Sequence, residues 1–111
     1  MSPLYPEPER TEANGWRPAK FAGVRYRTLR YDRASGAGAV LIEMAPGTTY
    51  GRHRHTAGED VLVIDGELVI GGRIYRGGDH LYSPPGSVHE PHSDTGCLLF
   101  AVFPGRIEHL E

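Results

Sequence analysis

The sequence predicts an all-β protein, an antiparallel sandwich or barrel, and three observations carry that expectation. Glycine and proline, with 15 and 9 copies, make up about a fifth of the 111 residues, which favours tight turns over long helices. Apolar-rich runs recur about every eight to ten residues between turn signals, the pattern of short antiparallel strands. No amphipathic segment of ten residues or more follows the helical period.

Taken in order, residues 1–21 read as an extended N-terminal arm. They hold four of the prolines and little periodicity, with Trp16 and Phe21 as anchors. From residue 22 the runs are GVRYRTLRY, AGAVLIEMAP, YGRHRH, EDVLVID, GELVIGG, RIYRGG, HLYSPP, SVHEPH and CLLFAVF. Their breakers are SGAG, PG, TAG, DG, GG, GGD, PPG and SDTG. Asp65-Gly66 predicts a hairpin turn, because that pair tolerates the positive φ angles of a type I′ turn. In VRYRTLRYDR, Arg25 and Arg27 alternate with Val24, Tyr26 and Thr28, which predicts a solvated strand face and not a phosphate-binding patch. The expected division is an arm at 1–21, one barrel domain at 22–105 and a polar C-terminal tail at 106–111, with His109 chemically idle in the tail. Without internal repeats, and at this length, a duplicated barrel is excluded.

Composition narrows the function classes. An apolar fraction of 39% supports one modest core. A formal charge of −2 leaves no basic field for nucleic acid or anionic lipid, so neither partner is expected. The single cysteine, Cys97, allows no intrachain disulfide and points to a reducing compartment. The polar, proline-rich start MSPLYPEPER has no apolar core of a signal peptide or membrane anchor, so a cytoplasmic protein is expected.

The stretch GTTYGRHRHTAGEDVLVIDG carries the chemistry. On a strand His53 and His55 point to one side and Arg52 and Arg54 to the other. With the arginines in solvent, two imidazoles enter the interior, where a divalent metal satisfies both at once. Glu59 opens the next strand and shares a face with Val61 and Val63; a carboxylate among apolar residues calls for a partner. A second stretch, GDHLYSPPGSVHEPHS, shapes a turn with Gly78, Pro84 and Gly86 and delivers His89 as a further donor. By strand alternation His92 faces away from His89. His80 near the rim, Tyr50, Tyr75 and Tyr82 are weaker candidates for a cavity wall, and Cys97 reads as a small buried hydrophobe. No Ser-His-Asp triad or Gly-rich phosphate loop is present.

These two stretches resemble the two motifs of the cupin superfamily. Gly47, His53, His55, Glu59 and Gly66 keep every spacing of the first, and Gly78, Pro84, Gly86 and His89 those of the second, with Ser93 where an asparagine is usual. The resemblance covers about residues 22–103. It implies a single conical, jelly-roll-like cupin β-barrel of two antiparallel sheets, with one metal ion held by His53, His55, Glu59 and His89. The stretches PPGSVHEPHS and SDTGCLLFAVF are similar to the cupin domain of ChrR-type anti-sigma factors and to acetylacetone-cleaving dioxygenases. The latter type looks like a three-histidine site, whereas Glu59 is kept here.

Three imidazoles and a carboxylate suit Fe(II), Mn(II), Ni(II) or Zn(II). Four donors leave two positions free on an octahedral ion but saturate a tetrahedral zinc. The residues therefore serve more than one class of function. The first is a metal-dependent oxygenase acting on a small oxygenated molecule such as a β-diketone, enol or phenol. The alternatives are a non-catalytic metal- or ligand-binding sensor of ChrR type, and a cupin isomerase or lyase. A homodimer is expected, since a small barrel has sheet edges to cover.

Overall fold

The structure, a computed structural model, describes residues 6–11 and 14–110. Residues 1–5 and 12–13 of the expected arm, and residue 111, lie outside the described residues. Twelve strands and no helix are found among the rest: β1 (Arg17–Pro18), β2 (Val24–Tyr31), β3 (Gly38–Met44), β4 (Thr48–Thr49), β5 (His53–His55), β6 (Glu59–Ile70), β7 (Arg73–Arg76), β8 (His80–Ser83), β9 (Val88–His89), β10 (His92–Ser93), β11 (Cys97–Phe103) and β12 (Ile107–His109). Every pairing is antiparallel. The larger sheet runs β1-β2-β3-β11-β6-β10-β4, with β7 and β8 also on β6, and a small sheet runs β12-β5-β9. The all-β fold of two antiparallel sheets is thus the observed one.

Alternation places the core. Val61 and Val63 on β6, Leu99 and Ala101 on β11, and Met44 on β3 face inward with Val24, Leu68 and Cys97. Asp60, Leu62 and Ile64 take the outer face of β6. Burying a side chain such as Leu68 contributes about 1.5–3 kcal/mol.

Two local expectations are corrected. Asp65-Gly66 makes no hairpin: β6 continues through it for 12 residues. The strand changes partners there instead. Residues 59–66 pair with β8 and β11, with a bulge opposite Leu98 and Leu99, while residues 67–70 pair with β7 and β10. Gly66 has φ +83, and a Cβ on it would run into the Gly96 carbonyl and Cys97 Cα. The positive φ that a turn needs is used for a bend under a close backbone approach. The hairpin between β6 and β7 turns instead at Gly71-Gly72.

Arg27 is the second correction. Arg25 is exposed, bonded to Glu43 and stacked on Trp16, but Arg27 is buried. The segment before β1 folds over it: its Nε donates to the Asn14 carbonyl at 2.7 Å, and Gly15 rests on the guanidinium. Strand alternation cannot foresee this cover, because it comes from a segment distant in sequence. Phe21 packs on Tyr50 at 4.9 Å between ring centroids.

Candidate metal centre

β5 and β9 pair so that His53 stands directly opposite His89. Alternation along β5 puts His53 and His55 inward and exposes Arg54, and the turn at Gly58 (φ +88) sends the chain into β6 with Glu59 as its first residue. His53, His55 and Glu59 are buried and His89 half-buried; one donor atom from each lies within 4.8 Å of the other three. The four residues singled out from the sequence are therefore brought together at one place.

The cluster is poorly satisfied by itself. The Nε2 atoms of His55 and His89 face one another at 2.6 Å. His55 Nδ1 is buried without a hydrogen-bond partner and stands 3.5 Å from a Glu59 oxygen. His53 is better prepared: its Nδ1–H donates to the Gly51 carbonyl at 2.9 Å, which leaves Nε2 as the lone-pair atom. Gly51 is obligatory at this contact, because a side chain there would meet the Phe21 ring.

Electrostatics agree with this geometry. Burial, followed by the neighbouring imidazoles His53 and His89, holds His55 down to about 3. Burial and then His53 hold His89 at about 4, and burial lowers His53 as well. Burial, with a smaller contribution from Asp60, pushes the Glu59 carboxyl up to about 8. Three neutral imidazoles and a carboxyl that resists ionising alone are groups for which a cation removes the penalty. An orphaned imidazole nitrogen and four converging donors fit a divalent metal.

A cavity of about 510 Å³ opens beside the cluster, and His53, Glu59 and His89 line it with Val40, Ile42, Val61, Leu99 and Ala101. Tyr50 lines it too, its ring edge-on to His53 at 4.9 Å, and burial pushes its phenol up to about 12, so it stays neutral. Tyr75 and Tyr82 belong to a more open depression of about 520 Å³ that also touches His89.

The other candidates stay apart from the cluster. His80 is exposed and pairs with Asp60 at 2.7 Å. His92 bonds Thr49 and Asp94. Cys97 is buried in the core. Ser93, standing in for asparagine, is fully buried; its hydroxyl donates to the Glu67 carbonyl at 2.6 Å and accepts from Gly96 N–H at 2.9 Å, so it holds the turn before β11.

Sequence reasoning missed His109. It stands opposite His53 in the β12–β5 pair, its ring 6.2 Å from that of His53, and it lines the cavity. The alternating Ile107-Glu108-His109 was the available signal, but three residues near the chain end are too few to announce a strand.

A β-barrel interior with a His/Glu cluster able to hold a metal ion, open to a cavity, defines a cupin. The chain belongs to the ChrR cupin-like domain family, which it matches over residues 9–105. No curated protein matches the sequence. Among solved structures, an acetylacetone dioxygenase from Acinetobacter johnsonii superposes with a TM-score of 0.83 at 12% identity, covering 100% of this chain and 82% of that one. The polyketide cyclase RemF from Streptomyces resistomycificus gives 0.64 at 18%, covering 86% and 76%. At these identities the likeness shows the fold. The complex of Rhodobacter sphaeroides SigE with the anti-sigma ChrR gives 0.73 at 25% identity, covering 85% of this chain and 50% of that chain.

Proposed function

We propose that the protein is a non-heme, divalent-metal-dependent oxygenase acting on a small oxygenated organic molecule of β-diketone, enol or phenol type. One ion per chain is held by His53, His55, Glu59 and His89. The observation that carries this reading is the shared wall: three of those four residues also line a cavity of about 510 Å³, so the cluster is open to a ligand. A purely structural ion has no use for such a space.

A bound divalent ion supplies Lewis-acid stabilisation of an enolate or phenolate and, where redox-active, electron exchange with dioxygen. The protein's own residues do the rest. The Gly51 carbonyl fixes the tautomer and plane of His53. Glu59 contributes the negative charge of the donor set. The walls of Val40, Ile42, Val61 and Leu99 exclude water from the reacting end. Neutral Tyr50 packs against His53 and holds the ring.

A second reading is a non-catalytic metal- or ligand-binding sensor. It is favoured by the family match and by the 25% identity to a chain of the SigE–ChrR complex. In either reading the protein acts as a cytoplasmic homodimer on a small molecule; the lone cysteine suits a reducing compartment. No described helix is long and apolar enough to cross a membrane.

Oxygen uptake decides between the two readings. Iron-loaded protein with acetylacetone and a panel of phenols is expected to consume O2, and His53→Ala to consume none. Iron-loaded, folded protein that consumes no O2 with any of them would favour the sensor.

A further inference from the structure

The charges on the cavity wall are one-sided. Among its described lining residues the cations are Lys20, Arg30 and Arg106, and the only carboxylate is Glu59, which the histidine cluster already engages. Between the two ends the wall is apolar, with Val40, Leu99 and Phe103.

The arginines differ in their engagement. Arg106 is committed: its Nη2 donates to the Arg33 carbonyl at 3.0 Å, and its stem covers Gly36, so it straps the β2–β3 turn to the segment before β12. Arg30 has no hydrogen bond or ion pair among the described residues, although it borders the cavity. Leu29 is skipped in the β2–β3 register, with Thr28 opposite Val40 and Arg30 opposite Ala39. Ala39 is in turn opposite Val102, and Val102 opposite Asp60, the neighbour of Glu59. Arg30 thus stands three strands from the strand that carries Glu59, about 14 Å along the sheet. Arg30 and Glu59 nevertheless line the same cavity.

We propose that the cavity takes an organic anion, a carboxylate-bearing molecule with an apolar body whose carboxylate meets the Arg30 guanidinium while its oxygen-bearing far end lies at the histidine cluster. A guanidinium matches a carboxylate through two parallel hydrogen bonds. Apolar walls sharpen the field of Arg30, Arg106 and Lys20. A cavity of about 510 Å³ lies within the range of small-ligand sites. The assignment narrows the substrate class of the proposed oxygenase and rests on that reading only for the far end of the ligand.

Nickel-loaded protein kept under nitrogen, which leaves positions open on the ion and holds the ligand without oxidative turnover, provides the test by isothermal titration calorimetry. The probes are 3-(4-hydroxyphenyl)propanoate, with a phenol at one end and a carboxylate at the other, and its uncharged methyl ester. The acid is expected to bind about tenfold more tightly than the ester, the worth of one charge-assisted contact. Arg30→Gln should remove that preference and leave ester affinity, nickel content and melting temperature unchanged, while Arg30→Lys keeps part of it. Acid and ester binding alike, neither binding, or a preference that survives in Arg30→Gln would overturn the proposal. A protein that takes up no nickel yet prefers the acid through Arg30 would support this inference and overturn the metal reading, so the two failures are distinguishable.

Discussion

At the scale of single residues, the cluster is costly in isolation. His55 is completely buried with an orphaned nitrogen, and Glu59 is a carboxyl that burial discourages from ionising. Glu59→Gln keeps the shape and removes the anionic donor. A metal at one hundred times its dissociation constant should stabilise the native protein by about 2.7 kcal/mol in thermal melts, and a hundredfold weaker site in the variant leaves about 0.4 kcal/mol at the same concentration. Equal stabilisation of both proteins would show that Glu59 is not a ligand. Cys97 offers an independent check on the core. Burial pushes its thiol up, so less of it is thiolate at a given pH, and alkylation by iodoacetamide should stay slow near neutrality and rise only above the ordinary thiol range of about 8.5. Fast labelling of native protein at pH 7 would contradict that burial. The four candidate ligands were legible as residues because a strand's period of two and the motif spacings bear directly on them. Arg27 and His109 were not, since their surroundings are set by the segment before β1 and by the β12–β5 pairing.

At the scale of elements, β6 organises the site. It carries Glu59 at its start, forms the inner wall with Val61 and Val63, and bends at Gly66 to reach β7 and β10. Gly66→Ala imposes a left-handed φ on a side chain, costing about 1–2 kcal/mol, and overpacks the Gly96–Cys97 backbone for about 1–3 kcal/mol more. Gly72→Ala shares the positive φ but meets nothing within 4 Å, so it should cost only the first of these. Urea denaturation of the two variants checks the difference; equal losses would mean that no close approach exists at Gly66. The Asp65-Gly66 pair is a lesson in the limits of local signals. The dipeptide correctly announces positive φ, but whether the chain reverses or merely bends depends on partners in β11, which only the folded sheet supplies. Ser93 is the converse case: it departs from the usual asparagine, and the two hydrogen bonds with which it holds its turn are visible only once the Glu67 carbonyl and Gly96 N–H are placed beside it.

At the scale of the molecule, the all-β class was legible because turn residues punctuate the chain at strand intervals and no helical period competes, and the two-sheet frame came only with the cupin resemblance. The order of strands was not, since nothing local says that β11 inserts between β3 and β6. The sheet ends in the two-residue strands β1 and β4, and an edge invites a second chain; light scattering after gel filtration should give twice the chain mass, and a monomer at every concentration would remove the homodimer from the account. Its central claim is the metal. Elemental analysis of untagged protein, purified anaerobically without chelator beside a His53→Ala variant, tests it most directly. One equivalent of iron, manganese, nickel or zinc per chain, lost in the folded variant, is the expected result. A native protein without metal, or a variant that retains it in full, would contradict the claim.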